Sequence, residues 1–431
     1  MTETETPPAP SSAAEPGVSI SSATSLAAFF RSMTGEERAT FIACAAGWAL
    51  DGMDYMIYPL VLGTIMEVWH VSSGAAGLAA TATLLASAVG GWLAGFLSDR
   101  LGRVRTLQIT IAWFSLFSLA SAFATSFPML LALRTLLGFG FGGEWAVGAV
   151  LMGEVIRPAF RGRAVGAVQS GWALGWGAAV LAQAILFSAL PAPLAWRAMF
   201  ALGALPALLT LFIRRNVAEP AIARAARAEG SAPSLLRIFA PDLLGVTVLA
   251  SLASMGAQGG YYAITTWLPT FLKTARGISV VGSTGYLAFL ILGSFAGYLT
   301  GAWAADRIGR RPLFLLFSAG AILVVLAYTA LPIPNALMLW LGFPLGFFAS
   351  GYFSGLGPFL TELYPTAVRG SGQGFCYNFG RGMGALFPTL IGYLAAHLGL
   401  GNAIAVFAVL AYGLFFLAAY ALPETRGRRL Q

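Results

Sequence analysis

Charge is what this chain has least of: only 10% of its 431 residues are Asp, Glu, Lys or Arg, against about 25% in an ordinary soluble protein. Polar surface on that scale cannot cover a water-soluble fold, so cytosolic enzymes and disordered scaffolds are excluded. Cysteine is nearly absent. Cys44 and Cys376 both fall inside apolar runs, which leaves neither a disulfide framework nor a metal-ligand cluster. Histidine is as scarce, with His70 and His397 near the ends of apolar runs. What fills the chain is apolar: 58% of residues, with a mean hydropathy of +0.78. A bilayer is the solvent this composition demands.

The tail before Ala39 is rich in Thr, Glu, Pro, Ala and Ser. It lacks a basic start followed by an apolar stretch, so it does not read as a cleavable signal peptide, and residues 1–38 are expected to be disordered. From Ala39 onward twelve apolar runs follow, six in residues 39–213 and six in residues 242–422. None alternates with period two, so each predicts a spanning helix rather than a barrel strand. The linker 214–241 and the tail 423–431 complete the expected organisation. With the amino terminus inside, all but five of the 25 basic residues fall in tails or cytoplasmic loops. The excess sets the orientation, with both termini cytoplasmic, and it accounts for the net charge of +8 without invoking nucleic acid.

An internal repeat divides the chain in two. Asp99-Arg100-Leu101-Gly102-Arg103 recurs as Asp306-Arg307-Ile308-Gly309-Arg310, and Glu154 with Arg161-Gly162 recurs as Glu362 with Arg369-Gly370. Parallel six-span repeats imply two bundles about a central cavity, the geometry of alternating-access carriers. These motifs resemble the major facilitator superfamily, as do Arg134 followed by Gly138 and the ending Pro423-Glu424-Thr425-Arg426-Gly427. Asp51-Gly-Met-Asp54, Gly142-Gly-Glu-Trp145 and the segment Arg369 to Arg381 are similar to metabolite:proton symporters, nearest the sialate and aromatic-acid branches. The resemblance implies an all-α membrane protein of twelve transmembrane helices in two pseudo-symmetric six-helix bundles. It also implies a bacterial inner-membrane location and a monomer.

Charges inside a bilayer cost at least about 2.5–3.5 kcal/mol each, so each demands a partner or a purpose. Asp54 lies about 22 Å along helix 1 from the cytoplasmic side and Arg134 about 9 Å below the outer surface, which puts both at one depth. The pair is the expected proton-coupling element, or else a static bridge between helices 1 and 4. Asp51, one turn away, either binds substrate, shares the proton or faces water. Glu144 is either a second proton site or a group bonded to a neighbouring hydroxyl. Arg381 lies near the midplane with no acidic residue of its own half at that depth. It is the expected carboxylate anchor, or it pairs across the cavity with Asp51 or Glu144. Asn378, Gln258, Tyr261 and Tyr262 are the expected orienting groups, with Trp145 and Tyr352 behind them. Asp99, Arg100, Gly102, Arg103, Glu154 and Arg161 in the first half, with Asp306, Arg307, Arg310, Glu362 and Arg369 in the second, are expected to latch the halves on the cytoplasmic side.

Gly138-Phe-Gly140-Phe-Gly142-Gly143 satisfies the dinucleotide fingerprint but follows no strand, so close helix packing is the better explanation. No nucleophile–base or metal-ligand spacing is present, so neither an enzyme nor a bound cofactor is expected. The expectation is proton-coupled import of a small carboxylate. The alternatives are an efflux antiporter, a facilitative uniporter and a membrane metabolite sensor. Helix 5 has Gly171 and Gly175 but no Pro, which by resemblance disfavours the exporter.

Overall fold

The computed structural model describes residues 30–157, 161–220, 235–364 and 369–426. Among them there is no strand. The first half comprises α1 (Gly35–Trp69), α2 (Ser73–Leu101), α3 (Arg103–Ser121), α4 (Phe127–Val155) and α5 (Arg161–Ala189). Its sixth span is broken into α6a (Ala192–Ala201), a 3-10 turn (Leu202–Ala204) and α6b (Pro206–Asn216). The second half comprises α7 (Pro241–Thr274), α8 (Ser283–Ile308) and α9 (Arg310–Thr329). It continues through α10a (Asn335–Ser350), α10b (Phe353–Leu363), α11a (Arg369–Gly384), α11b (Leu386–Leu398) and α12 (Leu400–Ala421).

Every expected run is therefore helical, and eight spans are long and apolar enough to cross a membrane. The other four are α1, α3, α4 and α11. Three of those hold the intramembrane charges, which is why apolarity alone does not single them out. The amino-terminal boundary differs from expectation. Helix α1 begins at Gly35, inside the segment expected to be disordered, because Thr34 and Glu37 form a reciprocal capping box. Glu37 N–H donates to Thr34 Oγ1 at 3.2 Å and Thr34 N–H to Glu37 Oε2 at 2.9 Å. Counting apolar residues misses a start written in polar ones.

Within each half the packing follows the repeat, and between halves α2 lies on α11, α5 on α8 and α1 on α7. The glycines of the false fingerprint are packing sites. A Cβ on Gly140 would stand 2.8 Å from Phe114 N and Thr110 O, and one on Gly138 2.9 Å from Ala86 Cβ. Helices α2, α3 and α4 thus meet backbone to backbone. At one end of the bundle the halves are bonded together. Ser73 Oγ donates to Gly392 O (2.7 Å), Thr81 Oγ1 to Ala385 O (2.5 Å), and Lys273 Nζ pairs with Glu67 Oε2 (2.8 Å). This is the closed end.

The opposite end carries the repeated loops. Gly102 and Gly309 adopt φ of +104° and +102°, a region that strains any residue with a side chain. They start α3 and α9, whose first amides receive a carboxylate from the chain that follows each half. Arg103 N–H and Val104 N–H donate to Glu219 (2.7 and 3.0 Å), as Arg310 N–H and Arg311 N–H do to Glu424 (3.0 and 2.9 Å). A helix amino terminus favours such an anion.

Candidate functional site

Two buried ionic clusters lie in the membrane-spanning part, and helix α1 contributes to both. The first is internal to the amino-terminal half. Ser118 Oγ of α3 donates to Asp54 Oδ1, and Arg134 Nη1 of α4 lies 3.6 Å from Asp54 Oδ2. Arg134 is 1% exposed, and its guanidinium sits 5.6 Å from the Tyr58 ring centre and 5.5 Å from that of Phe200. The two rings therefore clad the cation. Its Nε and Nη1 make no hydrogen bond, so charge and ring contact hold it in place. The broken sixth span makes room for this cluster: a Cβ on Gly203 would stand 2.5 Å from Asp54 Oδ1 and closer still to Ser118 Oγ.

The second cluster bridges the halves. Asp51 is fully buried, no N–H or hydroxyl group donates to its carboxylate, the Glu144 carboxyl lies within hydrogen-bonding reach of it, and Asp54 and Arg381 are its other charged neighbours. Glu144 Oε1 packs where a side chain on Gly47 would stand. Glycine at that turn of α1 is thus what admits a carboxyl from α4. Arg381 of α11a faces this acidic pair from the other half. It is 2% exposed, and its Nε and Nη1 lack partners. Its guanidinium lies 5.1 Å from the ring centre of Phe141 and 5.5 Å from that of Tyr377, with the Tyr262 and Tyr377 hydroxyls beside it. No ion pair within 4 Å is described for it.

The remaining expected groups divide. Tyr261 Oη accepts from Trp172 Nε1 at 2.6 Å, a bond between halves. Tyr262 Oη donates to Gln258 Oε1 (3.2 Å), whose Nε2 donates to Tyr377 O (2.8 Å). Gln258 therefore positions Tyr262 and spends one of its two amide hydrogens within its own half. Asn378 Nδ2 turns back to Gly374 O (3.0 Å), so that amide is spent along its own helix. Tyr352 bonds Ala257 O at 2.7 Å inside the carboxyl-terminal half. Trp145 stacks near Trp48 at 4.4 Å and near Tyr377 at 6.4 Å, placing it at the interface.

Sequence reasoning missed the aromatic lining. Trp48 lies 4.8 Å from Trp172, Tyr55 lies 5.4 Å from Phe141 and 6.0 Å from Tyr262, all as ring centres. Phe141 of this set lies against Arg381. Nothing in the spacing marks these rings, because aromatic residues abound and only their convergence is informative. Glu219 was missed too, although extending the repeat past α6 would have aligned Ala218-Glu219-Pro220 with Pro423-Glu424-Thr425.

Among the expected latch residues, Arg103 pairs with Glu154 at 3.4 Å and Arg310 with Glu362 at 2.9 Å. Both pairs join helices of the same half. Thr425 Oγ1 also donates to Glu362 Oε2 at 2.6 Å. Gly102 is the helix start described above, and Arg307 stacks over Trp303 at 4.8 Å. The side chains of Asp99, Arg100, Arg161, Asp306 and Arg369 lie outside the described residues. Among the described residues no group of His, Cys, Asp and Glu is placed to hold a metal ion.

The Major Facilitator Superfamily model matches residues 43–385 and 292–431. A probable 4-methylmuconolactone transporter of Cupriavidus pinatubonensis is 43% identical over 403 residues, covering 93% of this chain and 94% of that protein. The 3-(3-hydroxy-phenyl)propionate transporter of Escherichia coli is 31% identical over 383 residues, with coverage of 88% and 92%. Among solved structures, a D-xylose-proton symporter superposes with a TM-score of 0.72 at 22% identity, covering 91% of this chain and 99% of the other.

Proposed function

This chain belongs to the Major Facilitator Superfamily and is a multi-pass membrane transporter rather than an enzyme; on that premise we propose that it imports a small unsaturated or aromatic carboxylate together with protons. The observation that carries the substrate class is Arg381: a buried guanidinium with two unpartnered nitrogens, ringed by aromatic side chains at the junction of the halves. Its fork suits a carboxylate, and the surrounding rings suit a flat, unsaturated body. The two named relatives, a muconolactone and a phenylpropionate transporter, support that class.

Protons enter the reading through charge balance. Asp51 and Glu144 are neighbouring buried carboxyls within hydrogen-bonding reach of each other, with no other donor on Asp51, and two like charges in one dry place are strongly disfavoured. A proton shared between them removes that conflict and frees Arg381 for a substrate anion. Asp54 provides a second proton acceptor, because protonating it dissolves the pairing with Arg134 one turn further along the same helix. With both termini cytoplasmic, the closed end faces outward, and the structure is read as outward-closed. Opening that end admits the acid and its protons; closing it and parting the loop-bearing end releases them inside. A monoanion with one proton is electroneutral and is driven by pH alone, about 1.36 kcal/mol per unit. Each further proton adds the same pH contribution again and, being uncompensated charge, about 2.3 kcal/mol per 100 mV of potential.

The test is uptake of radiolabelled carboxylates into proteoliposomes, with and without an imposed pH gradient. Accumulation of an unsaturated acid that collapses with the gradient is the expected result. Uptake that stops at the equilibrium ratio whatever the gradient makes the protein a uniporter, and outward movement driven by the gradient makes it an exporter.

A further inference from the structure

Three basic side chains belong to the closed end, and two of them are already committed. Arg197 Nη1 donates to Ala122 O (2.8 Å) and Ala124 O (2.7 Å). Arg276 donates to Ile333 O (3.0 Å) and Leu331 O (3.3 Å). Both cations thus tie loops of their own half. Lys273 is different. Its described bond is to Glu67 across the halves, and the partners are unequally placed: Lys273 is 24% exposed and Glu67 63%. A pair whose acid stands in solvent contributes little, so the acid is readily exchanged while the cation stays in place.

Beneath this pair lies a small recess of about 10 Å³, room for about one water molecule while the end is closed, between α1, α5, α7 and α8, lined by Thr64, Gln183, Thr270, Lys273 and Ser283 among others. It contains polar groups that the fold itself does not use. Thr270 is 3% exposed and its hydroxyl has no partner. Gln183 is 1% exposed; its Nε2 is spent on Leu60 O at 2.8 Å, and its Oε1 has no partner. An ammonium and a free hydroxyl donate into the recess, and an amide oxygen accepts. That set fits a carboxylate bearing a hydroxyl or a protonated acid group. The recess stands directly above the aromatic-lined site. Gly63 is eight residues, about 12 Å, beyond Tyr55 on α1, and Lys273 is eleven residues, about 16 Å, beyond Tyr262 on α7.

We propose that this recess is an outer docking site for the substrate's carboxylate, which takes the place of Glu67 on Lys273 as the halves part. The proposal rests on the uptake reading above. It differs from a simple outer strut in a way that can be measured. A strut loses the same bond whichever partner is neutralised, so Lys273→Gln and Glu67→Gln change transport in the same direction. A docking cation that Glu67 occupies gives opposite signs.

The experiment measures initial uptake into proteoliposomes of radiolabelled benzoate, cis,cis-muconate and 3-(3-hydroxyphenyl)propionate, continuing with whichever acid the wild type accumulates. The expected results are a KM from the outer face raised roughly fivefold by Lys273→Gln and lowered about twofold by Glu67→Gln, in keeping with one partly exposed charge contact. Lys273→Arg stays near wild type, and the KM for exit from the inner face stays unchanged in all three. The difference between Lys273→Gln and wild type shrinks as salt is raised. Shifts of the same sign in both variants, or no shift in either, overturn the docking site and leave the uptake reading standing. A wild type that accumulates none of these acids overturns both together.

Discussion

Replacing Arg381 with lysine keeps the positive charge and removes the fork, so the pair Arg381→Lys and Arg381→Ala separates charge from geometry. Two guanidinium nitrogens are unpartnered in this structure. Each charge-assisted bond to a substrate carboxylate is worth about 1.5–3 kcal/mol net. Lysine restores one such contact and cannot stack on Phe141 and Tyr377 as the planar group does. Losing one bond predicts about 10- to 150-fold weaker binding in Arg381→Lys. Arg381→Ala loses both contacts and weakens binding further. Folding is expected to change far less. No ion pair to Arg381 is described within 4 Å, and removing a buried cation also removes its insertion cost of about 2.5–3.5 kcal/mol. The assay is intrinsic tryptophan fluorescence on purified protein, since Trp145 and Trp172 line the site, run beside thermal unfolding. An Arg381→Lys variant that binds the transported acid within threefold of wild type would refute the anchor. So would an Arg381→Ala variant whose lost affinity tracks its lost stability.

The other expectations come from neighbouring elements. Asp54→Asn keeps an acceptor for Ser118 and cannot take up a proton, so gradient-driven accumulation falls to the equilibrium ratio while counterflow persists; undiminished accumulation removes Asp54 from the coupling. Gly203→Ala drives a methyl into Asp54 and Ser118 and is expected to impair accumulation as Asp54→Asn does; a wild-type accumulation ratio in that variant counts against the closeness of the 3-10 turn. Trp172→Phe removes one bond between the halves, worth about 0.5–1.5 kcal/mol, so labelling of a cysteine placed at Thr64 rises up to roughly tenfold if the outer end opens more often. Glu424 is a stability probe. Burial pushes its carboxyl up, but amides of Arg426, Arg310, Arg311 and Thr425 outweigh burial and hold it below the usual range. Its contribution is therefore complete above about pH 4.3 and drains as pH falls through the lowered value. Glu424→Ala is expected to cost about 1 kcal/mol at pH 7, as a lost helix cap does, with the gap to wild type closing in acid when thermal unfolding is compared at the two pH values.

Most of the architecture was legible because lipid imposes one rule on every span: no backbone group is left unpaired, so an apolar run of the right length is a helix. Gly102 and Gly309, with their charged neighbours, carried the repeat, since a tight start with positive φ accepts little else. The site was legible only as a set of depths. Residue number along a helix fixes height, which brings Asp54 level with Arg134, but it does not fix which neighbour fills the space beside a side chain. That is decided by local notches such as Gly47 and Gly203, whose missing Cβ atoms admit Glu144 beside α1 and the 3-10 turn beside Asp54. The aromatic lining is illegible for the same reason. Trp48, Phe141 and Trp172 come from three helices, and only packing brings them together.

Asp51 and Asp54 are three residues apart, hence about one turn apart on one face of α1 and offset by about 60°. The structure gives them different partners: Asp51 looks across the junction toward Arg381, while Asp54 is bonded into its own half by Ser118 and Arg134. One helical turn therefore connects the proposed docking place at Arg381 to the Asp54–Arg134 pair proposed to be made and broken. Charge taken up at either carboxyl alters the field at the other. A small rotation of α1 that follows substrate onto Arg381 also moves Asp54 relative to Arg134, whose separation of 3.6 Å is already outside hydrogen-bond range. On this argument coupling needs no long relay. It needs α1 to stay stiff between residues 51 and 54, so a second glycine beside Gly52, as in Met53→Gly, is expected to lower the accumulation ratio more than it lowers carboxylate affinity. Equal losses in the two measurements would mean that the carboxyls act independently.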